Sequence, residues 1–147
     1  MDLFDSTGVV LYDVGYAFAD ACDWQGTRTP ISSGDELVAA LAGQQGLSPT
    51  SPTDVVVSGS AGTLMEITVP SETEVDRCSR DRYQAWALQG DGSGGDIWLN
   101  TGQHDLIWIL DVDGVPLIID ATLGAGASAQ ERTEQEQMVE SIQIERT

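Results

Sequence analysis

Apolar positions along this chain fall into short blocks, set apart by clusters of Gly, Ser, Asp and Pro. The period inside each block indicates its element. The stretch GVVLYDVGYAFADAC, residues 8–22, predicts two short strands, Val9–Tyr12 and Tyr16–Ala19, broken at Gly15. Ser33-Gly34-Asp35-Glu36 predicts a helix start. The Ser33 hydroxyl can accept from the Glu36 N–H while the Glu36 carboxylate reaches back, the reciprocal capping box. Leu37, Val38 and Leu41 make a narrow apolar stripe, and Gly43 or Gly46 can stop the helix. TDVVVSGSAGTLMEITVP, residues 53–70, predicts a hairpin of Val55–Val57 and Thr63–Val69 around a small-residue turn, Ser58 to Gly62. Two-residue alternation puts Met65, Ile67 and Val69 on one face and Glu66 and Thr68 on the other.

The second half continues the pattern. RYQAWAL, residues 82–88, alternates, with Trp86 and Leu88 on one face. QGDGSGGD is a flexible loop leading into a strand, DIWLN. Leu106–Leu110 is apolar on both faces, which marks a central strand covered on both sides. Asp113-Gly114 then turns the chain into a partner strand, Val115–Ile119. Pro116 belongs at a strand start or a non-bonded position, since it lacks an N–H. SAQERTEQEQMVESIQIE repeats the capping logic from Ser128 to Glu131, with only Met138, Val139 and Ile142 to dock a polar helix. Ile142–Glu145 reads as a short last strand or a helix tail. The expected architecture is α+β: one twisted, mainly antiparallel sheet with two helices packed on it.

A length of 147 residues implies a single domain, and 41% hydrophobic content fits an ordinary core. No run of 18 apolar residues exists, so direct membrane insertion by this chain is not expected. The acidic start, MDLFDSTG, lacks the basic region of a signal peptide. Charge removes further classes. The formal net charge is −18, from 24 acids against 6 bases, all of them arginine. That field repels phosphate backbones, so neither nucleic acid nor an anionic membrane is an expected partner.

Cys22 and Cys78 sit in no metal-binding spacing, which leaves two buried thiols or one disulfide. Their polar neighbours, ADACDWQG and VDRCSRDR, favour the disulfide and with it an oxidising, extracytoplasmic site. Such a site without a signal predicts that the chain is a piece of a longer precursor.

In DVDG, residues 111–114, glycine arrives two places too early for a calcium loop, and Val-Pro-Leu-Ile-Ile follows where oxygen ligands belong. A hairpin turn is the better reading. GDGSGGD lacks the lysine ending of a phosphate loop and stands as a single copy, not a calcium-binding repeat. SGSAG, residues 58–62, misses the first glycine of a nucleophile elbow and lies between strands. A Ser60–His104–Asp arrangement would need tertiary placement, and His104 has no His or Cys companion at ligand spacing. Carboxylate pairs carry little signal among so many acids. Asp120 stands out as an acid closing an apolar strand, where a strand-end residue bonding loop amides is the plainer expectation. Trp86 and Trp108 read as core, Trp24 as a cover for the disulfide, and Trp98 as a surface contact.

FADACDWQGT, the stretch DELVAALAGQQGLSPTSPTDVVVSGSAG, the second cysteine before RYQAWAL, and LIWILDVDGVPLIIDATLGAGASAQERTEQEQMVESIQIE together resemble an uncharacterised actinobacterial extracytoplasmic domain. That domain usually lies behind a signal, lipid anchor or transmembrane segment. Its plan is similar to PsbP-like α+β domains, and the likeness runs from about Val9 to Glu145. Here the usual leading strand and membrane signal do not precede it. The resemblance implies an accessory or recognition role, not an enzyme, with no catalytic residues to carry over. No cofactor or metal is expected, and the partner is an unknown protein or small molecule. Trp24, Trp98 and His104 are the candidate ligand contacts. The alternatives are a small-ligand or carbohydrate-binding module using exposed aromatics, and a small hydrolase centred on His104.

Overall fold

The computed structural model describes residues 8–24, 26–70, 78, 83–88, 99, 101–112, 114–124 and 126–142. In chain order the elements are β1 (Gly8–Phe18), β2 (Arg28–Pro30), α1 (Gly34–Ala42), β3 (Ser48–Pro49), β4 (Thr53–Val57) and β5 (Ser60–Thr68). After these come β6 (Trp86–Leu88), β7 (His104–Val112), β8 (Val115–Leu123) and α2 (Ala129–Glu140). The strands form one curled antiparallel sheet in the order β2-β1-β8-β7-β5-β3, with β4 also on β5 and β6 also on β1. With two helices on it, the fold is α+β. Among the described residues no helix is long and apolar enough to cross a membrane. The expected loop at 90–96, the strand around Trp98 and the tail at 143–145 lie outside the described residues.

The first strand differs from its expectation. Gly15 does not break it: β1 runs through, and the register shifts between Val14 and Tyr16. Residues 8–13 pair with β8, and residues 14–17 pair with β6. The bulge bends one strand across two neighbours, which curls the sheet. The Gly15 carbonyl accepts the Ile31 N–H at 2.9 Å, so the kinked backbone stays bonded.

The hairpin turn of β4 and β5 is shorter than expected. Val57 pairs with Ser60, so only Ser58 and Gly59 turn the chain. Both have positive φ, 52° and 77°, the handedness that matches strand twist in two-residue hairpins. The small residues after the turn are strand, and Gly62 shows why. A Cβ there would overlap the Leu110 side chain and lie 2.6 Å from the Ile109 carbonyl oxygen.

Strands β7 and β8 form the centre. Val112 pairs with Val115 across a two-residue turn, where Gly114 has φ 82°. The hairpin reading of this stretch holds, and Asp111 has a second task. Its Oδ1 accepts the Gly34 N–H at 2.7 Å, capping α1 beside Ser33, whose Oγ accepts the Glu36 N–H at 3.2 Å. The Glu36 carboxylate reaches Ser32, accepting its hydroxyl at 2.9 Å.

Cores lie on both sheet faces. The main core joins Leu37 and Leu41 of α1 to Met65, Ile67, Ile107, Ile109 and Trp86. The opposite face holds Leu106, Trp108, Leu110 and Ile119, with Val139 of α2 docked against it. Met138, expected to help dock α2, is 51% exposed, and Gln135 is buried in its stead. Cys22 and Cys78 are bonded, with Cα atoms 4.3 Å apart. The bond ties the segment after β1 to a residue packed in the main core.

Candidate functional site

A cleft of about 180 Å³ opens where α2 begins. His104 and Leu123 form its floor, at the paired ends of β7 and β8. Gly124 and Ala127 of the connection, with Ser128 and Arg132 of the capped helix start, form its wall. The site exists because β8 runs straight into a capped helix that folds back over the sheet. Ser128 secures that return, its Oγ accepting the Glu131 N–H at 3.1 Å. The volume is below that of a drug-sized pocket and suits a ligand of a few heavy atoms.

The polar side chains form one connected group. Arg132 reaches from α2 to β5, where its Nη2 lies 2.8 Å from Glu66 Oε1. The other Glu66 oxygen is 3.4 Å from His104 Nδ1, and the Thr68 hydroxyl is 3.1 Å from the same nitrogen. Alternation along β5 and β7 delivers this grouping, since Glu66, Thr68 and His104 all point away from the main core. With Nδ1 engaged, Nε2 is the imidazole nitrogen free of partners among the described residues. The cleft therefore offers a ring nitrogen and a half-exposed guanidinium to a small polar group.

The same geometry bears on hydrolysis. Ser60 starts β5, whereas Thr68, the register partner of His104, ends it. Eight residue steps along the strand separate them, roughly 26 Å. The structure does not bring Ser60 to His104. The serine that does line the cleft, Ser128, has its hydroxyl engaged as a helix cap.

The aromatic candidates divide. Trp24 is 7% exposed and stacks at a tilt on Phe18, with ring centroids 6.2 Å apart, so it is a core ring and not a surface platform. Trp86 and Trp108 are buried as expected, on opposite faces of the sheet. Trp98 lies outside the described residues. An exposed aromatic face for sugar binding therefore has no support from Trp24, Trp86 or Trp108.

Beneath the cleft floor, on the main-core face, lies a second group. Asp105 pairs in register with Thr122, and Asp120 pairs with Ile107, so the two acids are diagonal neighbours. They are 0% and 3% exposed. Asp105 accepts from Gln103 Nε2 at 2.5 Å and from the Thr122 hydroxyl at 3.4 Å. Burial raises the Asp105 carboxyl above its ordinary range, against hydrogen bonds from Asp120, Gln103 and Thr122. Asp120 is pushed well above that range, first by burial, then by the Asp105 charge and the hydrogen bond to it. Asp120 does not end its strand, as the sequence implied; β8 runs on to Leu123. Alternation carried the missed signal, because Asp105 shares a face with Ile107 and Ile109, and Asp120 shares one with Ile118.

Glu66 and Arg132 were invisible as site residues, since only the return of α2 over β5 brings them together. Among the described residues no group of three or more His, Cys, Asp or Glu side chains could hold a metal ion. The chain matches no family model, no curated protein and no solved structure.

Proposed function

We propose that this domain is a non-catalytic extracytoplasmic recognition module with a PsbP-like plan. In this reading the cleft at the start of α2 takes a small polar ligand or a polar side chain of a partner. One observation carries the reading: the Cys22–Cys78 bond, a link that persists in oxidising compartments and is rare in reducing ones. The non-catalytic reading draws on the placement of the serines: Ser128 of the cleft serves as a helix cap, and Ser60 lies at the far end of β5 from His104. The charge of −18 argues against nucleic acid as the partner.

Two measurements test this. In intact cells making the tagged full-length reading frame, added protease should reach the domain, and alkylation under denaturing, non-reducing conditions should find both cysteines blocked. A protease-protected domain with two reactive thiols overturns the assignment of compartment. For the cleft, thermal shift against small carboxylates, sugars and inorganic phosphate should reveal a stabilising ligand whose effect is lost in His104→Ala. A stabilising ligand indifferent to both His104→Ala and Arg132→Ala places recognition elsewhere. Hydrolysis of a simple ester, amide or glycoside that is lost in His104→Ala would return the hydrolase reading.

A further inference from the structure

Asp105 and Asp120 form a buried acid pair in the central strands of the sheet, and no cation faces it among the described residues. The side chains packed on that face are apolar: Met65 and Ile67 from β5, Leu37 and Leu41 from α1, Val14 from β1 and Trp86 from β6. Tyr83 is the other titratable side chain of that core among the described residues. His104 is adjacent in sequence but points to the opposite face, where its charge, when present, favours an ionised Asp105. Glu66 and Arg132 also lie beyond the sheet. Two neighbouring carboxylates in such an interior resist ionising together, because bulk solvent does not reach them and no cation among the described residues faces them. The hydrogen-bond inventory fits a single proton. Asp105 has donors on both oxygens, Gln103 and Thr122, as an anion requires. Asp120 Oδ1 is buried with no partner among the described residues, as the bare carbonyl oxygen of an acid would be.

We propose that this pair holds one proton in the folded protein at neutral pH, with Asp120 donating to Asp105, and that this proton latches the floor of the cleft. The geometry makes the link short. His104–Leu123, which forms the floor, is the register pair next to Asp105–Thr122. When the proton leaves for solvent, two anions share a buried site, and the partly exposed His104 and Thr122 at the ends of β7 and β8 lie next to it. The inference stands whether or not the cleft binds a ligand.

The sign of the linkage follows. Unfolded aspartates ionise in the ordinary range, whereas the folded pair keeps its proton above it. Across that window the folded state binds more protons than the unfolded state, so stability falls as pH rises, by up to tenfold in the folding constant per pH unit.

The test compares the wild-type chain with Asp120→Asn, whose carboxamide can donate to Asp105 but does not ionise. Urea unfolding from about pH 5 to about pH 8 should show the wild type losing up to tenfold per pH unit relative to the variant. Superimposable pH profiles overturn the proposal. Carboxyl carbon NMR on the wild type decides without any variant. One carboxyl must remain protonated at neutral pH, and two that both titrate in the ordinary aspartate range refute it. Amide exchange, corrected for intrinsic base catalysis, tests the latch. Residues 104–106 and 121–123 should lose protection as the pair ionises, while β5 keeps its own. Uniform protection across the ionisation overturns the latch.

Discussion

Removing the Cys22–Cys78 bond tests the physical account of this fold most directly. The cysteines are 56 residues apart, and β2, α1, β3, β4 and β5 all lie within the loop they close. In the chain-entropy model, opening a loop of that size frees the unfolded chain by about 4 kcal/mol. Whole domains are stable by only about 5–15 kcal/mol, so the bond accounts for a large share. Replacement by Cys22→Ala/Cys78→Ala avoids placing a hydroxyl at position 78, which is buried in the main core. For a chain near 150 residues the loss corresponds to roughly 8–16 °C in Tm. Urea and thermal unfolding followed by tryptophan fluorescence measure it, with the buried Trp24, Trp86 and Trp108 among the reporters. The mechanism leaves a second signature. Because the link acts on the unfolded ensemble, the double variant should also show a larger urea m-value, since its unfolded chain exposes more surface. Either single alanine variant should cost nearly as much as the double, since each one opens the loop. A double variant within about 1 kcal/mol of the wild type, with an unchanged m-value, would refute the loop-closure reasoning.

Other expectations follow from single contacts. Asp111→Ala should cost about 1–2 kcal/mol in urea unfolding, because it strips the Gly34 N–H of its charged partner at the start of α1. Gly62→Ala should cost about 1–3 kcal/mol, since the new methyl overlaps the Leu110 side chain; a neutral result would mean β5 and β7 can separate freely. Arg132→Ala should change stability by about 1 kcal/mol or less, because its pair with Glu66 stays in reach of solvent, with side chains 40% and 21% exposed. The same substitution should abolish any ligand-induced thermal shift that depends on the cleft.

Much of the architecture could be read from local pattern. Ser33 and Ser128 marked both helix starts, because capping is chemistry within four residues. The alternation of Met65, Ile67 and Val69 identified the buried side of β5, and the unbroken run at 106–110 identified the central strand. Polar surroundings pointed to the disulfide. Structure departs from local pattern where a local signal has two meanings. Gly15 reads equally as a break or a bulge, and only the positions of β6 and β8 on either side of it make a bulge. The small residues at 60–62 look like loop until the Leu110 side chain lies across Gly62. Met138 and Val139 are equally apolar, and the angle at which α2 crosses the sheet buries one and exposes the other.

The sequence by itself determined the sign and size of the charge, the helix caps, the turn at Gly114 and the faces of the strands. Each of these depends on residues a few positions apart, whose relative placement the backbone geometry already dictates. Only the tertiary structure decided which faces meet. It joined Asp111 to α1, set Asp105 beside Asp120, and brought Arg132 of α2 onto Glu66 beside His104. Those contacts span from 15 to 77 positions of chain, and what brings them together is strand order and the burial of apolar surface, which no local pattern encodes.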